Sequence, residues 1–170
     1  MNQPSSLTRP GNHGFTLIEL IVTMAILGVL LSVTIPSLTD LIGDSRLSTH
    51  TDILVVSLNT ARLEAVRQRK DFQVCPSTTP DTGSTCSGNA TDWASGWIIK
   101  DANADVVQRV QAKTGITLST QATAVTFRGT LGSSNAVTSF TLCAPGRLEQ
   151  QVDIALSGHI RKSVTQTLCT

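Results

Sequence analysis

One carboxylate, Glu19, interrupts an apolar run that reads GFTLIELIVTMAILGVLLSVTIPSL from Gly14 to Leu38. No charged residue lies between Leu20 and Thr39. About 20 apolar residues cross a bilayer as a helix, so the run is a transmembrane candidate. A carboxylate at the centre of such a helix costs ~2.5–3.5 kcal/mol and less near its end, so Glu19 calls for a cationic partner or a purpose. Arg9 precedes the run and little positive charge follows it closely. That asymmetry predicts a cytoplasmic N-terminus, with the rest of the chain sent outward. The run is too long for the apolar part of a secretory signal, and no small-x-small cleavage pattern follows it.

Cysteine chemistry comes second. Cys75, Cys86, Cys143 and Cys169 all follow the apolar run, on the side expected to be exported. An even count there suggests disulfides, with three possible pairings. Proximity in sequence favours Cys75–Cys86 and Cys143–Cys169, each adding ~3 kcal/mol by restricting the unfolded chain. There is no C-x-x-C spacing to suggest zinc, and disulfides imply an oxidising compartment.

Catalytic constellations are missing from the sequence. It has three histidines, His13, His50 and His159, and no P-loop, G-x-S-x-G, H-E-x-x-H or clustered acids. His50, among Ser48, Thr49 and Asp52, is expected on the surface of a helix. Trp93 and Trp97 are expected to pack a sheet or shape a contact. No enzyme, cofactor or metal site is predicted. The net charge of +1 points to no strongly charged partner. After Thr114 the cations Arg128, Arg147, Arg161 and Lys162 outnumber Glu149 and Asp153 by a modest two.

These groups are positioned by two kinds of element. Leu47, Thr51, Leu54, Leu58, Ala61 and Ala65 recur at spacings of three and four, the mark of an amphipathic helix ending near Arg69. Pro36 and Gly43 are where a helix from Phe15 onward is expected to bend or melt. From Asp71 the pattern shortens into strand-like runs at Phe72–Cys75, Trp97–Lys100, Val106–Val110, Ala124–Arg128, Ser139–Cys143, Val152–Leu156 and His159–Val164. The Pro76–Asp92 stretch, rich in Ser, Thr, Gly and Asn, reads as a long loop pinned by Cys75–Cys86. The expectation is an α+β fold, a long helix packed on a small antiparallel β-sheet head. Its divisions are 1–14, a transmembrane half 15–37, an amphipathic half 38–70 and a β-rich head 71–170.

Gly14-Phe15-Thr16-Leu17-Ile18-Glu19 resembles the processing signal of type IV prepilins and type II secretion pseudopilins. The resemblance implies that a prepilin peptidase cuts after Gly14 and methylates the amine of Phe15. It also implies that Glu19 meets the terminal amine of a neighbouring subunit during assembly, and Pro36 matches a proline common in pilin helices. The head resembles the GspH/FimT family through Leu58–Lys70, Val74-Cys75-Pro76, Gly96-Trp97-Ile98-Ile99 and Ser157-Gly158-His159-Ile160-Arg161. That implies a pilin-like fold in a minor pilin of a type IV pilus, or the minor pseudopilin H of a type II secretion system. The implied partners are the peptidase, other pilin or pseudopilin subunits and the bacterial inner membrane, with the head in the periplasm and the filament as destination. Some members bind DNA through a late G-R-x-R motif. Gly158-His159-Ile160-Arg161 and Lys162 stand at its place, with His159 where the motif has an arginine, and Arg147 is a further candidate cation.

Overall fold

The computed structural model describes residues 15–169, and within its long helix the side chains at positions 33–37 fall outside that description. Gly14, with the expected leader, and the side chain of Pro36 therefore lie outside the described residues. Helix α1 runs from Leu17 to Gln68, 52 residues, and is followed by eight strands among the described residues. The chain divides into two compact units, one ending at Asp40 and one beginning at Leu41.

In the first unit Thr16 caps α1. Its hydroxyl accepts the backbone N–H of Glu19 at 3.3 Å, so Thr-x-x-Glu here has the spacing of a capping box. Glu19 thereby sits in the first turn, where the helix macrodipole favours negative charge. Further along, Thr23 donates to Leu20 O at 2.9 Å and Ser32 to Val29 O at 2.7 Å. These two hydroxyls are thus satisfied by the helix itself. Among the described residues no helix is long and apolar enough to cross a membrane. Within the run the side chains at positions 33–37 lie outside the description, and the expected span to Leu38 draws on them.

In the second unit the helix continues through Gly43 without the expected break. It ends where Arg69 adopts φ 53° and Lys70 N–H reaches back to Ala65 O at 3.2 Å, a Schellman-type closure. The strands are β1 (Phe72–Pro76), β2 (Gly96–Asp101), β3 (Val106–Gln111), β4 (Thr117–Ser119), β5 (Val125–Phe127), β6 (Thr138–Cys143), β7 (Leu148–Ile154) and β8 (Ile160–Leu168). Two four-stranded sheets result, ordered β3-β2-β1-β5 and β4-β6-β7-β8, and every pairing is antiparallel.

The stripe Leu47, Leu54, Leu58, Ala61, Ala65 predicted from spacing is buried, and it packs with Phe72, Trp97, Phe127, Phe140 and Ile154 from both sheets. Thr51 shares that face because its hydroxyl bonds to Leu47 O. A 3-10 turn, Ala90–Ala94, closes the stretch read as loop and buries Trp93 just beyond it. The Trp93 indole donates to Ala122 O at 2.8 Å and meets Phe140 edge-on at 4.9 Å. His50 departs from expectation: it is 1% exposed rather than on the surface, its ring 5.5 Å from that of Trp97. The α-helical period explains this, since His50 lies three residues after Leu47 and four before Leu54, on the buried side.

Candidate functional site

The first half of α1 presents apolar side chains all round. Phe15 is 82% exposed and Leu17 78%, and Ile18, Met24, Ile26, Val29 and Leu30 are likewise open. A helix hydrophobic on every side belongs in lipid or among other helices. Glu19 is its one described carboxylate before Asp40 and is exposed. Such an element buries nothing within its own unit. Its geometry suits packing against copies of similar helices, with Glu19 available to a cation brought by a neighbour.

In the head the four cysteines form two disulfides. Cys75 joins Cys86 across 11 residues and Cys143 joins Cys169 across 26, each with Cα atoms 5.5 Å apart. The first anchors the loop that follows β1. The second ties the end of β8 to the end of β6, and Cys169 N–H also donates to Arg147 O at 2.8 Å.

The cationic residues singled out near the C-terminus do not converge on an open tip. Lys162 extends to α1, where its ammonium donates to Asp52 at 2.6 Å, to the Ser48 hydroxyl at 3.0 Å and to Ser48 O at 3.3 Å. Arg161 lies across the β7–β8 pair from Asp153, with 3.4 Å between guanidinium and carboxylate. Partial burial pushes the Asp153 carboxyl up. Hydrogen bonds from Ser139, Gln151 and Arg161 outweigh that and hold it below its ordinary value. Arg147 approaches Asp44 at 3.7 Å and lies over Gly43, where a Cβ would stand 2.8 Å from the Arg147 Nε. Gly43 is thus the gap in α1 that admits this guanidinium. His159 is exposed beside the turn. Arg147, Arg161 and Lys162 therefore each face a carboxylate of the same chain.

Arg62 belongs to this constellation and sequence reasoning passed it over. From α1 it donates to Gly132 O at 3.1 Å and to Ser157 O at 3.2 Å, fastening two turns to the helix. Gly158 must be glycine there: its φ is 77°, and a Cβ would overlap the Gly132 carbonyl oxygen. Nothing in the local sequence signals a partner 70 or 95 residues away.

Comparison with known proteins follows the same division. The family model described as "Type II transport protein GspH" matches residues 50–158, and the "Prokaryotic N-terminal methylation motif" matches residues 9–35. A comparison with curated protein sequences gives no match. Among solved structures, the type IV minor pilin FimU of Pseudomonas aeruginosa is similar in fold in two crystal forms. The first has TM-score 0.53 and 19% identity, covering 71% of this chain and 98% of that one. The second has TM-score 0.53 and 18% identity, covering 73% and 96%. The α+β architecture of long helix and small antiparallel head is thus the pilin fold. With its head matched over 109 of 170 residues and a methylation motif at its apolar end, the chain belongs to the GspH family of pilin-like proteins.

Proposed function

We propose that this chain is a minor pilin of a type IV pilus, made as an inner-membrane precursor with its head in the periplasm. A prepilin peptidase cuts after Gly14 and methylates Phe15. The freed helix then leaves lipid for the filament core, where Glu19 meets the terminal amine of an adjacent subunit. In a low-dielectric surrounding the two charges neutralise each other only on joining, which ties the energetic penalty of Glu19 to assembly. The observation that carries this reading is the apolar half of α1, its described side chains exposed on every side and Glu19 in its first turn, under a match to the methylation motif. The likeness of the head to FimU favours a pilus. A minor pseudopilin of type II secretion is the second reading, favoured by the description of the matching family.

DNA capture by Gly158–Lys162 draws little support from the geometry, because Arg161, Lys162 and Arg147 are already opposed by Asp153, Asp52 and Asp44. Affinity for nucleic acid rises with the phosphates that free cations neutralise. On this reading these residues brace the head within an assembling subunit.

Glu19→Leu tests the proposal. The variant is expected to be processed normally, with its share of filaments falling about tenfold, the equivalent of losing one buried charge pair of ~1.4 kcal/mol. Undiminished incorporation would sink the role given to Glu19.

A further inference from the structure

A cleft of about 630 Å³ opens between the head portion of α1 and the connection from β3 to β4. Arg46, Thr49, His50 and Ile53 line it from the helix, and Lys113 and Ile116 from the connection. No carboxylate lines it. Arg46 and Lys113 are exposed, and neither forms an ion pair among the described residues. Arg67, Arg147, Arg161 and Lys162, by contrast, each face an acid of their own chain, and what distinguishes Arg46 and Lys113 is that they share one cleft. His50 is buried in the cleft wall and its Nδ1 makes no hydrogen bond. The Trp97 indole N–H beside it is also buried and unpartnered. Buried polar groups are nearly always satisfied, so the orphan Nδ1 in the cleft wall, with a second orphan on the ring behind it, marks a place where the fold gives up stability.

We propose that this cleft receives an acidic side chain from a neighbouring subunit of the filament. Arg46 and Lys113 pair with the carboxylate, and Ile53 and Ile116 cover the aliphatic stem. The cleft's charge selects the occupant. Two cations beside an apolar recess suit a carboxylate and the segment that carries it, whereas nucleic acid needs a cationic track along which successive phosphates lie. The inference rests on the assembly reading given above.

The test places a photo-reactive benzoylphenylalanine at Thr49 in the full-length chain, expressed in a filament-bearing host. Filaments are isolated after irradiation and the cross-linked peptides sequenced. The expected adduct joins position 49 to a segment of another pilin subunit that contains Asp or Glu. Arg46→Gln with Lys113→Gln should lower its yield about tenfold per incorporated chain, with incorporation read by immunoblot. Both positions are exposed, so folding is not at stake. No adduct in filaments that contain the chain, an adduct only to lipid, or a yield indifferent to the double substitution overturns the proposal. Absence of the unsubstituted chain from filaments overturns the assembly reading as well, and immunoblotting separates that result from the others.

Discussion

Gly158→Ala places a methyl group where the backbone has φ 77° and the Gly132 carbonyl oxygen occupies the space. The left-handed conformation alone costs a residue bearing a Cβ about 1–2 kcal/mol. Relieving the overlap must displace either the β7–β8 turn or Gly132, and Arg62 holds both through Gly132 O and Ser157 O. Losing one of these charge-assisted hydrogen bonds adds about 1.5 kcal/mol, for a total near ~3 kcal/mol. Gly146→Ala is the internal control. Its φ of 72° carries the same conformational cost, but no atom lies within 4 Å of the added Cβ, so it should lose about 1 kcal/mol. For a head of this size those losses correspond to midpoint shifts of roughly 10 °C and roughly 4 °C. The assay is thermal unfolding of the oxidised full-length chain in detergent, followed by tryptophan fluorescence. Trp93 and Trp97 are the two tryptophans of the sequence and both lie in the head, so the signal is blind to the apolar helix. Equal shifts for the two variants, or a milder effect at Gly158, would refute the reasoning.

Two further predictions concern the head. Replacing Cys143 and Cys169 by Ser removes a 26-residue closure and should cost about 3.5 kcal/mol by chain entropy, against about 2.8 kcal/mol for the 11-residue Cys75–Cys86 closure. Denaturant midpoints at constant m-value measure both, and a reversed order would contradict the entropic estimate. At His50, burial lowers the pKa of the ring and Lys113 lowers it further. The unfolded chain therefore binds the proton first, so stability present above pH ~6.5 is lost as pH falls below it. His50→Phe should flatten that limb of the stability profile and add about 1–2 kcal/mol at neutral pH by removing the unpaired Nδ1. A profile that still falls with the wild-type slope would show that another group drives it.

The parts of the fold legible in the sequence are those with local periodicity. The Leu47–Ala65 stripe announces its face because a helix repeats every 3.6 residues, and β1, β2, β3, β5 and β6 show as short apolar or alternating runs. Strand β4 escaped because Leu118 is the single buried side chain among Thr117, Leu118 and Ser119. Strand β7 begins at Leu148 rather than Val152, since the buried Gln150 reads as polar and interrupts the alternation. The long-range polar contacts were not legible. Lys162 looks like a free cation until the fold brings Asp52 to it from 110 residues away, and Arg62 looks like solvated surface until two turns close on it. Glu19 stands out in the sequence for the opposite reason: a charge in an apolar run violates the local pattern, and such a violation is what marks it as a candidate.

The most direct test of the account is the N-terminus of the chain recovered from filaments or from the membrane fraction of a host with a prepilin peptidase. Intact-mass and terminal-peptide mass spectrometry should find a chain that begins at Phe15 with a single methyl group on its amine. A chain that retains Met1 in such a host would contradict it.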